Sequence, residues 1–129
     1  MAVTNGWHGN QEDRIFVYKF QGKWTWNELY TARQAEKNIM QGNDSRFDVI
    51  LDFTEAIGLP GSEFNNVKYM TEGADENVVL ITVVGANTFM QRIYDITSKI
   101  FPQVANRYLF VTDFEAAIKE IEVSRAEAS

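Results

Sequence analysis

Asp52 is the carboxylate around which the chemically useful residues of this chain gather. It closes the apolar run Phe47-Asp48-Val49-Ile50-Leu51-Asp52-Phe53-Thr54, and a loop containing Gly58, Pro60 and Gly61 then leads to Ser62. A carboxylate at a strand end could act as a general base or as a gate that repels anions. General acid–base work also needs a partner within hydrogen-bond reach and a shifted pKa, and the residue pattern specifies neither. A carboxylate bonded to the backbone of its own loop needs fewer assumptions. His8, the one histidine, could complete a Ser-His-Asp set with Ser62 and Asp52, but no nucleophile-elbow pattern accompanies it. Metal binding through His8 would need several suitably spaced carboxylates, and no such cluster is visible. No enzyme activity, cofactor or metal is expected.

Three further groups could bind rather than react. Gly85-Ala86-Asn87, read as a helix start, could cradle an anion on its amides, with Arg92 a turn later. Asp52 and Asp113 would oppose that anion, and a tight turn with Asn87 as cap explains the same residues. Ser62 suits a helix cap in the same way. The aromatics Trp24, Trp26 and Tyr30 could line an apolar pocket together with Phe89, Met90 or Tyr94, although aromatics at such places also serve as plain core.

The bulk properties narrow the classes of function. At 129 residues, 45% hydrophobic and 13% aromatic, the chain suits one domain spanning 1–129 with a real core. Twelve Lys and Arg against 18 Asp and Glu give a net charge of −6, without a basic cluster. Nucleic acid and anionic membrane surfaces are therefore not expected partners. Cysteine is absent, which excludes disulfides and thiolate chemistry. Residues 1–10 lack a basic start and an apolar run, so no signal peptide is expected. The apolar run 78–84 falls far short of the roughly 20 residues that span a bilayer. A cytoplasmic location follows as the expectation.

These residues must be positioned by regular elements. Residues 3–7 could form a short strand, and 14–20 alternates Ile15 and Val17 with Phe16, Tyr18 and Phe20, suggesting a hairpin. Thr25-Trp26-Asn27-Glu28 is a capping box, so a helix is expected over 26–41 with Leu29, Ala32, Ile39 and Ala35 inward. A strand over 47–53 follows, then a helix over 63–72 with Phe64, Val67 and Met70 buried. The run 78–84 is apolar on both faces, as in a central parallel strand. A helix over 88–101 carries the stripe Phe89, Ile93, Ile96 and Ile100, widened by Met90, Tyr94 and Phe101, and Pro102 stops it. A last strand at 107–112 leads to a helix capped by Asp113, with Phe114, Ala117, Ile118 and Ile121 inward and a frayed tail from 124. The fold class is α/β: a mostly parallel, mixed five-stranded sheet with an N-terminal hairpin and four helices.

Over about 14–121 this order resembles the SpoIIAA-like, or STAS-type, superfamily, and in particular an uncharacterised bacterial subgroup of it. The resemblance rests on Gly22-Lys23-Trp24-Thr25-Trp26, on Val49-Ile50-Leu51-Asp52-Phe53-Thr54, on Val84-Gly85-Ala86-Asn87 and on Asp113-Phe114-Glu115-Ala116-Ala117. In the family's anti-sigma-factor antagonists, a serine at the start of the second helix is phosphorylated to switch partner binding. Here that segment falls on Pro60-Gly61-Ser62-Glu63, with Gly61 at the acceptor position. The resemblance implies a non-catalytic regulatory or protein-interaction module, with a surface including Asp52, Thr54, Ser62, Asn87, Met90 and Tyr94. Its partner would be another protein or, through the 88–101 helix, a second copy. The alternative is a protein that binds a small apolar ligand such as a lipid or fatty acid, and a small hydrolase is a third reading.

Overall fold

Period-two alternation along the strands decides which side chains meet which helices, and a computed structural model shows the outcome. The structure describes residues 2–43, 45–61, 66, 77–100 and 107–128. Strands β1 (Val3–Trp7), β2 (Ile15–Gly22), β3 (Phe47–Ala56), β4 (Val78–Val84) and β5 (Tyr108–Val111) lie side by side in that order. β1 and β2 pair antiparallel, and β2 to β5 are parallel throughout. The helices among the described residues are α1 (Trp26–Met40), α2 (Thr88–Ile100) and α3 (Phe114–Ala128), with a single 3-10 turn at Gln11–Asp13 in the hairpin. The α/β fold and its mixed five-stranded sheet are as the sequence led us to expect. The expected fourth helix, 63–72, lies outside the described residues except for Asn66, which is helical, and Ser62 lies outside them too. No helix among the described residues is long and apolar enough to cross a membrane.

One face of the sheet carries Phe16, Tyr18, Phe20, Phe47, Val49, Phe53, Ile81 and Val83, and packs against Leu29, Ala32 and Met40 of α1 and Met90 of α2. The other face carries Ile15, Ile50 and Val84, and packs against Ala117 and Ile121 of α3. A register shift between Phe47 and Val49 in the β3–β4 pairing puts Val78 and Ile81, three residues apart, on the same face.

Helix starts follow their caps. At α1 the Glu28 amide donates to Thr25 Oγ1 at 3.2 Å, and the Thr25 amide donates to Glu28 Oε1 at 3.1 Å, which is the full capping box. Asn87 Oδ1 accepts from the Met90 amide at 2.9 Å, and Asp113 Oδ1 from the Ala116 amide at 2.8 Å. Both residues are therefore committed to orphan helix amides.

Four boundaries or faces differ from expectation. β3 runs on to Ala56, because Glu55 and Ala56 still pair with Gln21 and Gly22, so Asp52 sits within the strand. In α1, Glu36 and Met40 are buried, whereas Ile39 is 47% exposed and Ala35 faces solvent. In α2, Phe89, Ile96 and Ile100 are exposed, and Met90, Ile93, Tyr94 and Thr97 turn inward. The aromatic pair on β5 selects that face: Tyr94 meets the Phe110 ring edge-on at 4.9 Å and lies 5.6 Å from Tyr108. Thr97 is fully buried yet satisfied, since its hydroxyl donates to the Ile93 carbonyl one turn back at 2.8 Å. Finally, the stretch from Ser124 is not frayed but helical to Ala128. Arg125 holds it by donating to the buried Asp48 carboxylate at 2.9 Å and to the carbonyls of Asp13 and Arg14 at 2.6 and 2.8 Å.

Candidate functional site

On the α1–α2 face the strand residues differ in height. β2 and β5 present Tyr18, Phe20, Tyr108 and Phe110, while the central strands present Val49, Leu51, Val78 and Ile81. Large rings flanking shorter aliphatic side chains leave a hollow, which α1 and α2 roof with Leu29, Arg33 and Glu36 on one side and Met90, Ile93 and Tyr94 on the other. The resulting cavity has a volume of about 170 Å³. Interiors ordinarily close such gaps, because unmade contacts cost stability. A hollow of this size inside a well-packed domain is a candidate binding site.

Its walls are aromatic. Phe20 and Phe53 stack at 4.1 Å, and Trp24 meets Phe20 at 4.8 Å and Trp26 at 4.9 Å, in both cases edge to face. The indole N–H groups point away from this work: Trp24 Nε1 donates to the Gly58 carbonyl at 3.0 Å and Trp26 Nε1 to the Gly61 carbonyl at 2.5 Å. The two tryptophans thus pin the loop after β3 while offering their rings to the cavity.

One corner of the cavity is polar. The Tyr18 hydroxyl donates to Glu36 Oε1 at 2.5 Å, which satisfies a carboxylate that α1 has carried into the core. The Asn5 amide anchors the same corner by donating to the Ala32 carbonyl at 2.6 Å. Arg33 lines the cavity beside Glu36, and its charge acts on Tyr18 and Tyr108. Burial, and then the Glu36 charge, hold the Tyr18 phenol far above its ordinary value. Burial pushes Tyr108 up to about 12 despite Arg33, and raises Tyr94, with Asp95 adding to the effect.

These raised values have a consequence for stability at alkaline pH. A phenol that keeps its proton longer when folded contributes stability fully present below pH 10, the value of the unfolded chain, and lost as pH rises towards 12. Absorbance titration at 295 nm is expected to show Tyr18, Tyr94 and Tyr108 ionising only above pH 10, with unfolding setting in as they do.

The candidate residues read from the sequence divide between two places. Trp24, Trp26, Met90 and Tyr94 line the cavity. Phe89 points to solvent at 53% exposure, and Tyr30 is turned aside to Asn66, to which its hydroxyl donates. Asp52 and Thr54 belong to the opposite face of β3: Asp52 Oδ1 accepts from the Thr54 amide at 3.0 Å and from its hydroxyl at 2.6 Å. His8 and Asp52 share a shallow groove with Lys19 and Phe114, where the His8 ring lies 5.1 Å from the Phe114 ring. Among the described residues, no hydrogen bond joins His8 to Asp52, and no three His, Asp or Glu side chains could hold a metal. Asn87 is occupied as a cap. Tyr18, Arg33, Glu36 and Tyr108 were not singled out from the sequence, although Glu36 stands four residues after Ala32 and four before Met40 on the buried side of α1.

No family model matches the chain, and no curated protein matches it. Among solved structures, it is similar to an uncharacterised DUF3478-family protein with a SpoIIAA-like fold from Shewanella loihica PV-4. The TM-score is 0.67 at 15% identity, over 92% of each chain. This chain has the SpoIIAA-like fold. A likeness at that identity speaks for the architecture and leaves the roles of residues to the geometry. The Gly61 carbonyl is taken by the Trp26 indole.

Proposed function

We propose that this SpoIIAA-like chain binds a small, predominantly apolar molecule between α1, α2 and the sheet. The observation that carries the reading is the aromatic-lined cavity of about 170 Å³ with a polar corner at Tyr18, Arg33 and Glu36. An apolar cavity of roughly 150 Å³ is enough to take up benzene, so this volume suits a ring or short chain of roughly six to ten non-hydrogen atoms. It is too small for the full length of a long-chain fatty acid. The role is binding rather than catalysis, since the hydroxyl and carboxylate at the polar corner already satisfy one another and no reactive set converges there.

A second reading, a regulatory module acting by protein contact or self-association, is favoured by one observation. Phe89, Ile96 and Ile100 leave an apolar stripe along the outside of α2, exposed by 53%, 49% and 54%. Native mass spectrometry of protein purified from cells separates the two. A retained small molecule on a monomer is the expected result for ligand binding, and a bare dimer or a retained protein would favour the second reading. A bare monomer that also takes up no aromatic probe would contradict both.

A further inference from the structure

The character of the cavity narrows its ligand beyond "small and apolar", an inference that rests on the binding reading above. We propose that the ligand is an uncharged one-ring aromatic compound bearing an oxygen acceptor, held by the hydroxyls of Tyr94 and Tyr108.

Size and shape select the ring. A volume of about 170 Å³ admits one six-membered ring and a few further atoms. The Phe20–Phe53 stack and the edge of Trp24 offer flat and T-shaped contacts that reward an aromatic ring beyond its buried area. Charge selects neutrality. Arg33 and Glu36 line the same corner with opposite signs, so a ligand ion would surrender its hydration without meeting an uncompensated charge.

The phenols select the acceptor. Tyr18 is committed to Glu36, whereas Tyr94 and Tyr108, with rings 5.6 Å apart, both line the cavity without a hydrogen bond among the described residues. Each keeps its proton at neutral pH, since burial raises both. A phenol O–H facing an apolar ligand forfeits a hydrogen bond it could have made to water. A carbonyl or hydroxyl oxygen on the ligand restores it.

Titration calorimetry of the full chain at pH 7 with three probes of matched shape tests this: α-methylstyrene, acetophenone and benzoate. Acetophenone is expected to bind about tenfold tighter than α-methylstyrene, with benzoate weaker than acetophenone. Tyr94→Phe and Tyr108→Phe should bring acetophenone down to the affinity of α-methylstyrene, and urea unfolding of each variant checks that it is folded. If α-methylstyrene binds as well as acetophenone, or the phenylalanine variants keep the preference, the acceptor inference is overturned while ligand binding stands. Benzoate as the tightest probe would overturn the neutrality claim. Binding of none of the three would overturn the proposed function itself.

Discussion

Arg125→Ala is expected to destabilise the chain by about 2–3 kcal/mol, read as a lowered urea midpoint at unchanged slope. Its partner Asp48 is only 2% exposed, on the α3 face of β3, where its Oδ1 accepts from the Leu80 amide at 3.1 Å. Its other oxygen depends on the Arg125 guanidinium at 2.9 Å. Removing the arginine strands a buried carboxylate, and breaking such a pair ordinarily costs about 3–5 kcal/mol. The figure is reduced here because Arg125 is itself 41% exposed, so water can reach the vacated position. The same side chain donates to the carbonyls of Asp13 and Arg14, so its loss also frees the hairpin end from α3. Arg125→Lys should recover only part of the loss, because one ammonium cannot reproduce a planar fork spanning three acceptors. An Arg125→Ala variant as stable as the parent would show that α3 docks through its apolar side chains, Phe114, Ala117, Ile118 and Ile121, alone.

Gly85→Ala is expected to cost about 2–4 kcal/mol, measured in the same way. Gly85 sits at φ +74, a left-handed conformation that costs a side chain about 1–2 kcal/mol. In addition, a Cβ there would lie 3.0 Å from both the Cα and the amide nitrogen of Thr54 and 3.2 Å from its hydroxyl. Backbone cannot rotate aside as a flexible side chain can, so β3 and β4 must part slightly at their ends. Gly22 supplies the control. It has φ +60 with nothing within 4 Å of the added methyl, so Gly22→Ala should cost only the conformational part, about 1–2 kcal/mol. Equal losses at the two glycines would mean that the Thr54 contact contributes nothing.

Local chemistry was legible in the sequence, and choices made at long range were not. The capping box at Thr25 and Glu28 marks the start of α1 because both partners lie within one turn, and Asn87 and Asp113 announce their helices for the same reason. The alternation in β2 and the doubly apolar β4 likewise follow from neighbouring residues. α2 shows the limit. It has one apolar stripe through Phe89, Ile96 and Ile100 and another through Met90 and Tyr94, and periodicity favours the first. The sheet takes the second because Tyr94 meets Tyr108 and Phe110 on β5, a contact that no pattern within the helix reveals.

The candidate site shows the same division. Trp24, Trp26, Met90 and Tyr94 stand out as more aromatic and apolar surface than one helix face needs, and they do line the cavity. Glu36 was hidden because a charged residue within a helix ordinarily marks the solvent side. The Tyr18 hydroxyl, supplied from β2, helps to make its burial tolerable. Arg125 was hidden by distance, its carboxylate partner being 77 residues away in the chain. Asp52, the most conspicuous carboxylate in the sequence, turned out to hold its own strand through Thr54.

The central claim is that the hollow between α1, α2 and the sheet receives a small aromatic molecule. Methyl NMR of the isotope-labelled chain titrated with acetophenone tests it most directly, since the two apolar surfaces of α2 carry different reporters. The account predicts saturable shifts at the cavity-facing methyls of Leu29, Leu51, Ile81 and Ile93, with Ile96 and Ile100 unmoved. Shifts confined to Ile96 and Ile100, or no saturable shifts at all, would contradict it.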